Sequence, residues 1–175
     1  MAVRTTWSLN VDEAIVVDKI KKELSKKIHE VFFPVNSQLK DIDLIVFNLK
    51  NGNAKTVQVK GSRAYANKKD EEYSWIGVKK NSIFKTLNKT DFFIFVWHPL
   101  NSNPKTRKIT VEHVYIVIPL KKLQEKCKRW YKPDKSGTYR FTFWADSKKG
   151  WCNDYPNGHE VDYSKYLNNF NLLKI

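Results

Sequence analysis

The sequence predicts an α/β fold in which a mixed central β-sheet is flanked by helices. Three observations carry that reading. Lys40 to Phe47 and Lys55 to Lys60 alternate apolar and polar residues around Asn51-Gly52-Asn53, and Asn-Gly is a strong short-range hairpin signal. Thr90 to His98 and Val114 to Ile118 are almost continuously apolar, which suits strands buried on both faces beneath helices. Val11 to Ser25 repeats apolar residues at helical spacing, so an amphipathic helix precedes the hairpin.

The elements follow in order. Met1 to Leu9 is a lead-in, with Trp7 and Leu9 available to pack on the body. Asn10 caps the helix, and Glu13 three residues on completes a capping box. Val17, Ile20 and Leu24 define the buried stripe, widened by Val16, while Lys19, Lys22, Lys26 and Lys27 are solvated. Glu13 stands one turn before Val17, so capping the helix and reaching the hairpin cleft are both open to it. Ile28 to Val35 reads as a strand ended by Pro34; His29 and Glu30 face opposite sides and make no site together. In the hairpin, Ile42, Leu44 and Val46 share one face and Asp43, Ile45 and Phe47 the other. Across the turn, Val57 and Val59 oppose Thr56, Gln58 and Lys60.

After Lys60, Gly61 permits close backbone approach. Ser62 and Arg63 either hold a phosphate beside the cleft or simply leave the strand. A polar loop from Ala64 to Tyr73 leads to a short strand over Tyr73 to Val78, with Trp75 and Ile76 on opposite faces. Asn81 or Ser82 caps a short helix through Phe84 and Leu87. Pro99 to Lys108 is a polar loop, and a helix from about Leu120 to Trp130 turns Leu123 and Cys127 inward. Tyr163 to Leu173 is a helix or an irregular strap that packs Tyr166, Phe170 and Leu173 on the body. With no linker or repeat, residues 1–175 read as a single domain, with 120–175 a basic, aromatic C-terminal extension packed on the core.

Charge points to a partner. Lys and Arg number 32 against 18 Asp and Glu, a net +14 that favours a polyanion, nucleic acid first. Lys121 to Gly150 holds ten basic and three acidic residues, half of that surplus. Lys121, Lys122, Lys128, Arg129 and Lys132 are its candidate phosphate contacts. Trp130, Tyr131, Trp144 and Trp151 interleave with the charges; most read as core, and exposed rings would stack on unpaired bases. Two cysteines make no disulfide framework, no secretory signal is seen, and the longest apolar run, Phe92 to Trp97, is too short to span a bilayer. The expectation is a soluble cytoplasmic protein without membrane association. Cys127, Cys152, His113 and His159 match no common zinc spacing, and no Gly-rich Lys loop cradles a nucleotide.

Asp43, Gln58 and Lys60 place a carboxylate, an amide and an ammonium mid-strand on one face, which is costly unless they are paired, hydrated or metal-bound. An Asp on one strand and x-Lys on its hairpin partner, behind an N-terminal helix, resembles the PD-(D/E)xK nuclease superfamily of restriction endonucleases and Holliday-junction resolvases. Over Val11 to about Pro119 the resemblance implies a restriction-endonuclease-like fold and metal-dependent hydrolysis of DNA. It implies that Asp43, Gln58 and the Val59 carbonyl hold Mg²⁺ or Mn²⁺, that Glu13 adds an acid, and that Lys60 sits by the attacking water. Asp43, Gln58, Lys60 and Glu13 are therefore the candidate catalytic residues. Gln58 stands where an acid is usual, so the site carries less negative charge. Restriction, repair and recombination stay open, and cutting both strands would take a homodimer. Rival readings are a catalytically inactive nucleic-acid-binding module on the same fold and a protein-interaction domain for an acidic partner. The plain reading of Asp43 and Lys60 is a cross-strand ion pair, worth about 0.2–1 kcal/mol.

Overall fold

The computed structural model describes residues 11–34, 41–66, 72–84, 90–103 and 108–175. Trp7, Leu9, the Asn10 cap, Val35 and Leu87 lie outside the described residues. Helix α1 (Val11–Glu23) is followed by strands β1 (His29–Phe32), β2 (Leu44–Asn48) and β3 (Ala54–Ala66). Next come β4 (Glu72–Ser74), β5 (Ile76–Lys79), short helix α2 (Lys80–Phe84) and β6 (Phe92–His98). Strands β7 (Leu100–Asn103), β8 (Lys108–Val111) and β9 (Val114–Pro119) lead to helix α3 (Leu120–Trp130). Strands β10 (Thr138–Phe141), β11 (Trp144–Asp146), β12 (Trp151–Asp154) and β13 (Val161–Asp162) follow, with 3₁₀ turns at Ser164–Tyr166 and Phe170–Leu173. The chain is thus mixed α/β with a large, mostly antiparallel sheet. Among the described residues no helix is long and apolar enough to cross a membrane.

β3 organises the sheet because its 13 residues serve three partners. β2 pairs antiparallel with its start (Phe47 with Ala54 to Leu44 with Val57), and β4 pairs antiparallel with its end (Ala64 with Ser74 to Ala66 with Glu72). On the other side β6 runs parallel, from Val57 with Phe92 to Arg63 with His98. β1 extends the sheet beyond β2 and β9 beyond β6, while β11, β12 and β13 carry on from β4.

Alternation sorts the core into two layers. Val57 and Val59 join Val16 and Ile20 of α1, Leu44, Ile94 and Val117 on one face. On the other, Phe93, Phe95 and Trp97 pack with Ile83 of α2 and with Leu123 and Cys127 of α3. α3 matches the expected helix, and its two inward residues are the two it buries.

Several expectations are corrected. The first hairpin strand begins at Leu44 and not at Lys40, because Asp41 takes a left-handed φ of 73° that ends extended pairing. The strand holding Gly61 and Arg63 runs on to Ala66, so the polar loop starts later. Tyr73 to Val78 is two strands: β4 pairs with β3, whereas Ile76 and Val78 turn into the core beside β10. The stretch expected to be a loop over Pro99 to Lys108 contains β7 and the start of β8, a hairpin. β9, buried on both faces, is no central strand: its open edge is closed by the strap, where the Tyr115 N–H donates to Asn168 Oδ1 at 3.0 Å and the Asn168 N–H to the Tyr115 carbonyl at 2.8 Å.

Candidate active site at the fork of the sheet

Backbone groups alternate along β3. The Thr56 carbonyl accepts the Asp91 N–H at 3.0 Å on the β6 side, and the Val57 carbonyl accepts the Asp43 N–H at 2.9 Å on the β2 side. The Ser74 N–H turns away to the Phe143 carbonyl at 3.0 Å, so Tyr73 presents its backbone to Tyr65 and β4 shares the edge used by β2. Between Val57 and Ala64 this edge pairs with no strand among the described residues. The sheet forks there.

Asp43 stands at the root of the fork. Its Oδ2 accepts the Val59 N–H at 2.7 Å, a charge-assisted bond that fixes the carboxylate and satisfies a donor that β2 no longer serves. The Val59 carbonyl belongs to the same edge. Gln58, one step beyond Val57 in register and facing the other way, is only 3% exposed. Its Nε2 donates to Asp41 Oδ1 at 3.2 Å, and Ser82 of α2 donates to the same oxygen at 3.1 Å. Thr90 donates to the Asp41 carbonyl. Asp41 therefore sets the amide's orientation: nitrogen toward the carboxylate, oxygen away. Among the described residues Gln58 Oε1 is buried without a hydrogen-bond partner. Such an atom carries a penalty of about 1–3 kcal/mol unless a donor, a water or a cation meets it.

Lys60 follows two residues later on the face of Gln58, half-buried. Among the described residues no ion pair joins it to Asp43, so the plain cross-strand pair is not what the structure forms. Asp41 is the residue that sequence reasoning missed. Its left-handed φ takes it out of the strand's alternation, so spacing in Asp41-Ile42-Asp43 does not place it.

Glu13 stands on α1, which belongs to the other layer. α1 packs on the opposite face of the sheet, with Val16 and Ile20 at the centre of its stripe and Val17 at the margin. Val16, Ile20 and Leu24 of the expected stripe are buried and only Val17 moves to the margin; the line through Val16 and Ile20 passes through Asp12, with Glu13 rotated about 100° from it. Asp12 meets Gly61 so closely that a Cβ there would lie 1.7 Å from Oδ2. Oδ1 of Asp12 accepts from His98 Nε2 at 2.9 Å, and His98 Nδ1 lies 2.8 Å from His113 Nδ1. Desolvation, then the neighbouring His98, hold the His113 pKa below its usual value.

The remaining candidates divide. The Ser62 hydroxyl meets the Trp75 backbone, 3.2 Å from its N–H and 3.0 Å from its carbonyl, which ties β3 to the end of β4. Arg63 is exposed. α3 lies on the face of Gln58 and Lys60 and turns Lys121, Lys122, Lys128 and Arg129 outward, with Lys132 exposed beyond it. The three acids of this basic segment are consumed locally: Glu125 by Lys122 at 2.8 Å, Asp134 by Arg140 at 2.7 Å, Asp146 by Lys149 at 3.4 Å. The Ser136 hydroxyl, then the Thr138 N–H, pull Asp134 down to about 2. Lys121, Lys128, Arg129 and Lys132 therefore keep their charge for solvent. Tyr131 is core, bonded to buried Asp154.

Among the described residues no group of three His, Cys, Asp or Glu side chains gathers around a metal position. The donors that fit a hard divalent cation are oxygens: the Asp43 carboxylate, Gln58 Oε1 and the Val59 carbonyl. No protein-family model, curated sequence or solved structure matches the chain.

Proposed function

We propose that this protein is a metal-dependent endonuclease of the PD-(D/E)xK type, hydrolysing phosphodiester bonds of DNA at the fork between β2 and β4. Gln58 carries the reading. Its amide is oriented by Asp41 so that a buried oxygen is left without a hydrogen-bond partner among the described residues, one residue before Val59, whose N–H holds Asp43. The order of elements, a helix, three antiparallel strands and a crossover to the parallel β6, supports a restriction-endonuclease-like core.

A bound Mg²⁺ or Mn²⁺ would activate water and neutralise charge growing on the phosphate. The chain's own groups supply the rest. Asp43, anchored by the Val59 N–H, presents a fixed carboxylate. Lys60 offers an ammonium on the same face as Gln58, suited to hold the phosphate beside the water. α3 lends Lys121, Lys128, Arg129 and Lys132 to the substrate backbone on that face of the sheet.

A second reading has an observation of its own. The donor set holds one carboxylate and a neutral amide, and among the described residues no group of three His, Cys, Asp or Glu gathers, as in a fold that binds nucleic acid without cutting it. Manganese titration by calorimetry separates the two. The nuclease reading expects one site in the wild type, lost in Asp43→Ala and retained in Glu13→Ala. Salt-sensitive DNA binding with no manganese uptake favours the binding module.

A further inference from the structure

The part of β3 beyond the fork carries aromatic side chains that the chemistry at Asp43 does not use. Tyr65, Tyr73 and Trp144 are cross-strand neighbours on β3, β4 and β11. Their rings stack in a row: Tyr65 on Tyr73 at 5.8 Å and 28°, Tyr73 on Trp144 at 4.8 Å and 27°. Trp75 closes the row at an angle, edge-on to Tyr65 at 6.4 Å. Tyr65, Tyr73 and Trp75 line, with Thr142, a cleft of about 350 Å³.

These rings are not core. Tyr65 is 40% and Trp75 49% exposed. The ladder to β6 stops at Arg63 with His98, so among the described residues the sheet pairs Tyr65 with no fourth ring on that side. Cations border the cleft: the Arg140 guanidinium, paired with Asp134 at 2.7 Å, lies 5.0 Å from the Trp75 ring centre, and exposed Arg63 stands two residues before Tyr65. Trp75 also touches the fork directly, through the bonds of its backbone to Ser62.

We infer that this shelf binds an unpaired nucleobase, which continues the stack at Tyr65 while its phosphate meets Arg63 or Arg140. The inference rests on the nucleic-acid reading above and adds the substrate class: DNA with a single-stranded segment near the cut. Every base has a π-face, so stacking is tolerant of sequence, and flanking cations on a protein of net +14 favour a polyanionic strand over an apolar ligand. Tyr65 lies five residues beyond Lys60, about 16 Å along the strand and by alternation on the other face of β3, so a DNA chain passing from the fork to the shelf would round the open edge between β2 and β4.

The test is fluorescence anisotropy with a labelled oligothymidylate, the same backbone made abasic, and a duplex, using wild type, Trp75→Ala, Tyr65→Ala and Trp75→Phe. Near-ultraviolet circular dichroism and thermal unfolding check that each variant is folded. The alanine variants should bind the oligothymidylate about 5- to 100-fold more weakly and the duplex within about twofold of wild type. Trp75→Phe, which keeps a ring, should retain most of the affinity, and the abasic strand should bind wild type no better than the oligothymidylate binds Trp75→Ala. Folded alanine variants that bind both DNAs as wild type does, or lose both equally, overturn the shelf and leave the nucleic-acid reading standing. Wild type that binds neither DNA overturns that reading itself, and the shelf with it.

Discussion

Gly61→Ala tests the packing that joins α1 to the fork. Gly61 does not use a left-handed φ, so the backbone accepts alanine and only space is at issue. A Cβ would stand 1.7 Å from Asp12 Oδ2 and 2.2 Å from its Cγ, so the carboxylate must leave. Leaving breaks the 2.9 Å bond to His98 Nε2, whose side chain is 22% exposed against 24% for Asp12. A hydrogen bond to a charged group at such a site is worth about 1.5–3 kcal/mol. Replacing glycine by alanine returns about 0.4–1 kcal/mol by restricting the unfolded chain. The net destabilisation expected is about 1–2 kcal/mol, read by urea unfolding at constant m-value. In an Asp12→Ala background the three atoms nearest the methyl are gone, so the same change should cost far less, and at best be stabilising by up to about 1 kcal/mol. The cycle should therefore show coupling of about 2 kcal/mol. An equal cost of Gly61→Ala in both backgrounds would refute the close approach of Asp12 to β3.

Three further outcomes are expected. Gln58→Glu sets a second carboxylate against Asp41 Oδ1, now 3.2 Å from the amide nitrogen, and should lower stability at pH 8 by about 1–3 kcal/mol; millimolar Mn²⁺ should restore part of it in a thermal melt. Asp154 is 2% exposed, and burial raises its pKa to about 6 although the Tyr131 hydroxyl bonds to it at 2.5 Å. Between its unfolded pKa, about 3.9, and its folded value the unfolded chain binds fewer protons, so stability falls as pH rises through that window, by about 2–3 kcal/mol from this group. Asp154→Asn, which keeps an acceptor for Tyr131, should remove that component when denaturation of the two proteins is compared across the window. Replacing Lys121, Lys128, Arg129 and Lys132 by alanine should weaken duplex binding without regard to sequence. The slope of log K against log salt should become shallower by about 0.9 for each phosphate that the variant no longer neutralises.

Local pattern made some of this legible and left the rest hidden. Alternation sorted Asp43, Gln58 and Lys60 from Val57 and Val59 correctly, because a hairpin's faces follow from a period of two. Leu123 and Cys127 on α3 followed from helical spacing alone. On α1, adjacent Val16 and Val17 left the stripe ambiguous by one residue, and packing on Val57 and Val59 chose the former. Asp41 could not be placed from spacing, since its left-handed φ and its bonds to Gln58 and Ser82 are set by the turn and by α2. The aromatic row was out of reach: Tyr65, Tyr73 and Trp144 come together only through pairing of β3, β4 and β11 across some eighty residues of chain.

Whether phosphodiester chemistry occurs at the fork is decided by incubating plasmid and branched DNA with wild type and Lys60→Ala in Mg²⁺, Mn²⁺ or EDTA. Metal-dependent cutting is expected of the wild type, with none in EDTA, and Lys60→Ala should bind these DNAs without cutting them. Cutting that survives Lys60→Ala, or wild type that binds these DNAs and cuts none of them in either metal, would contradict a catalytic fork.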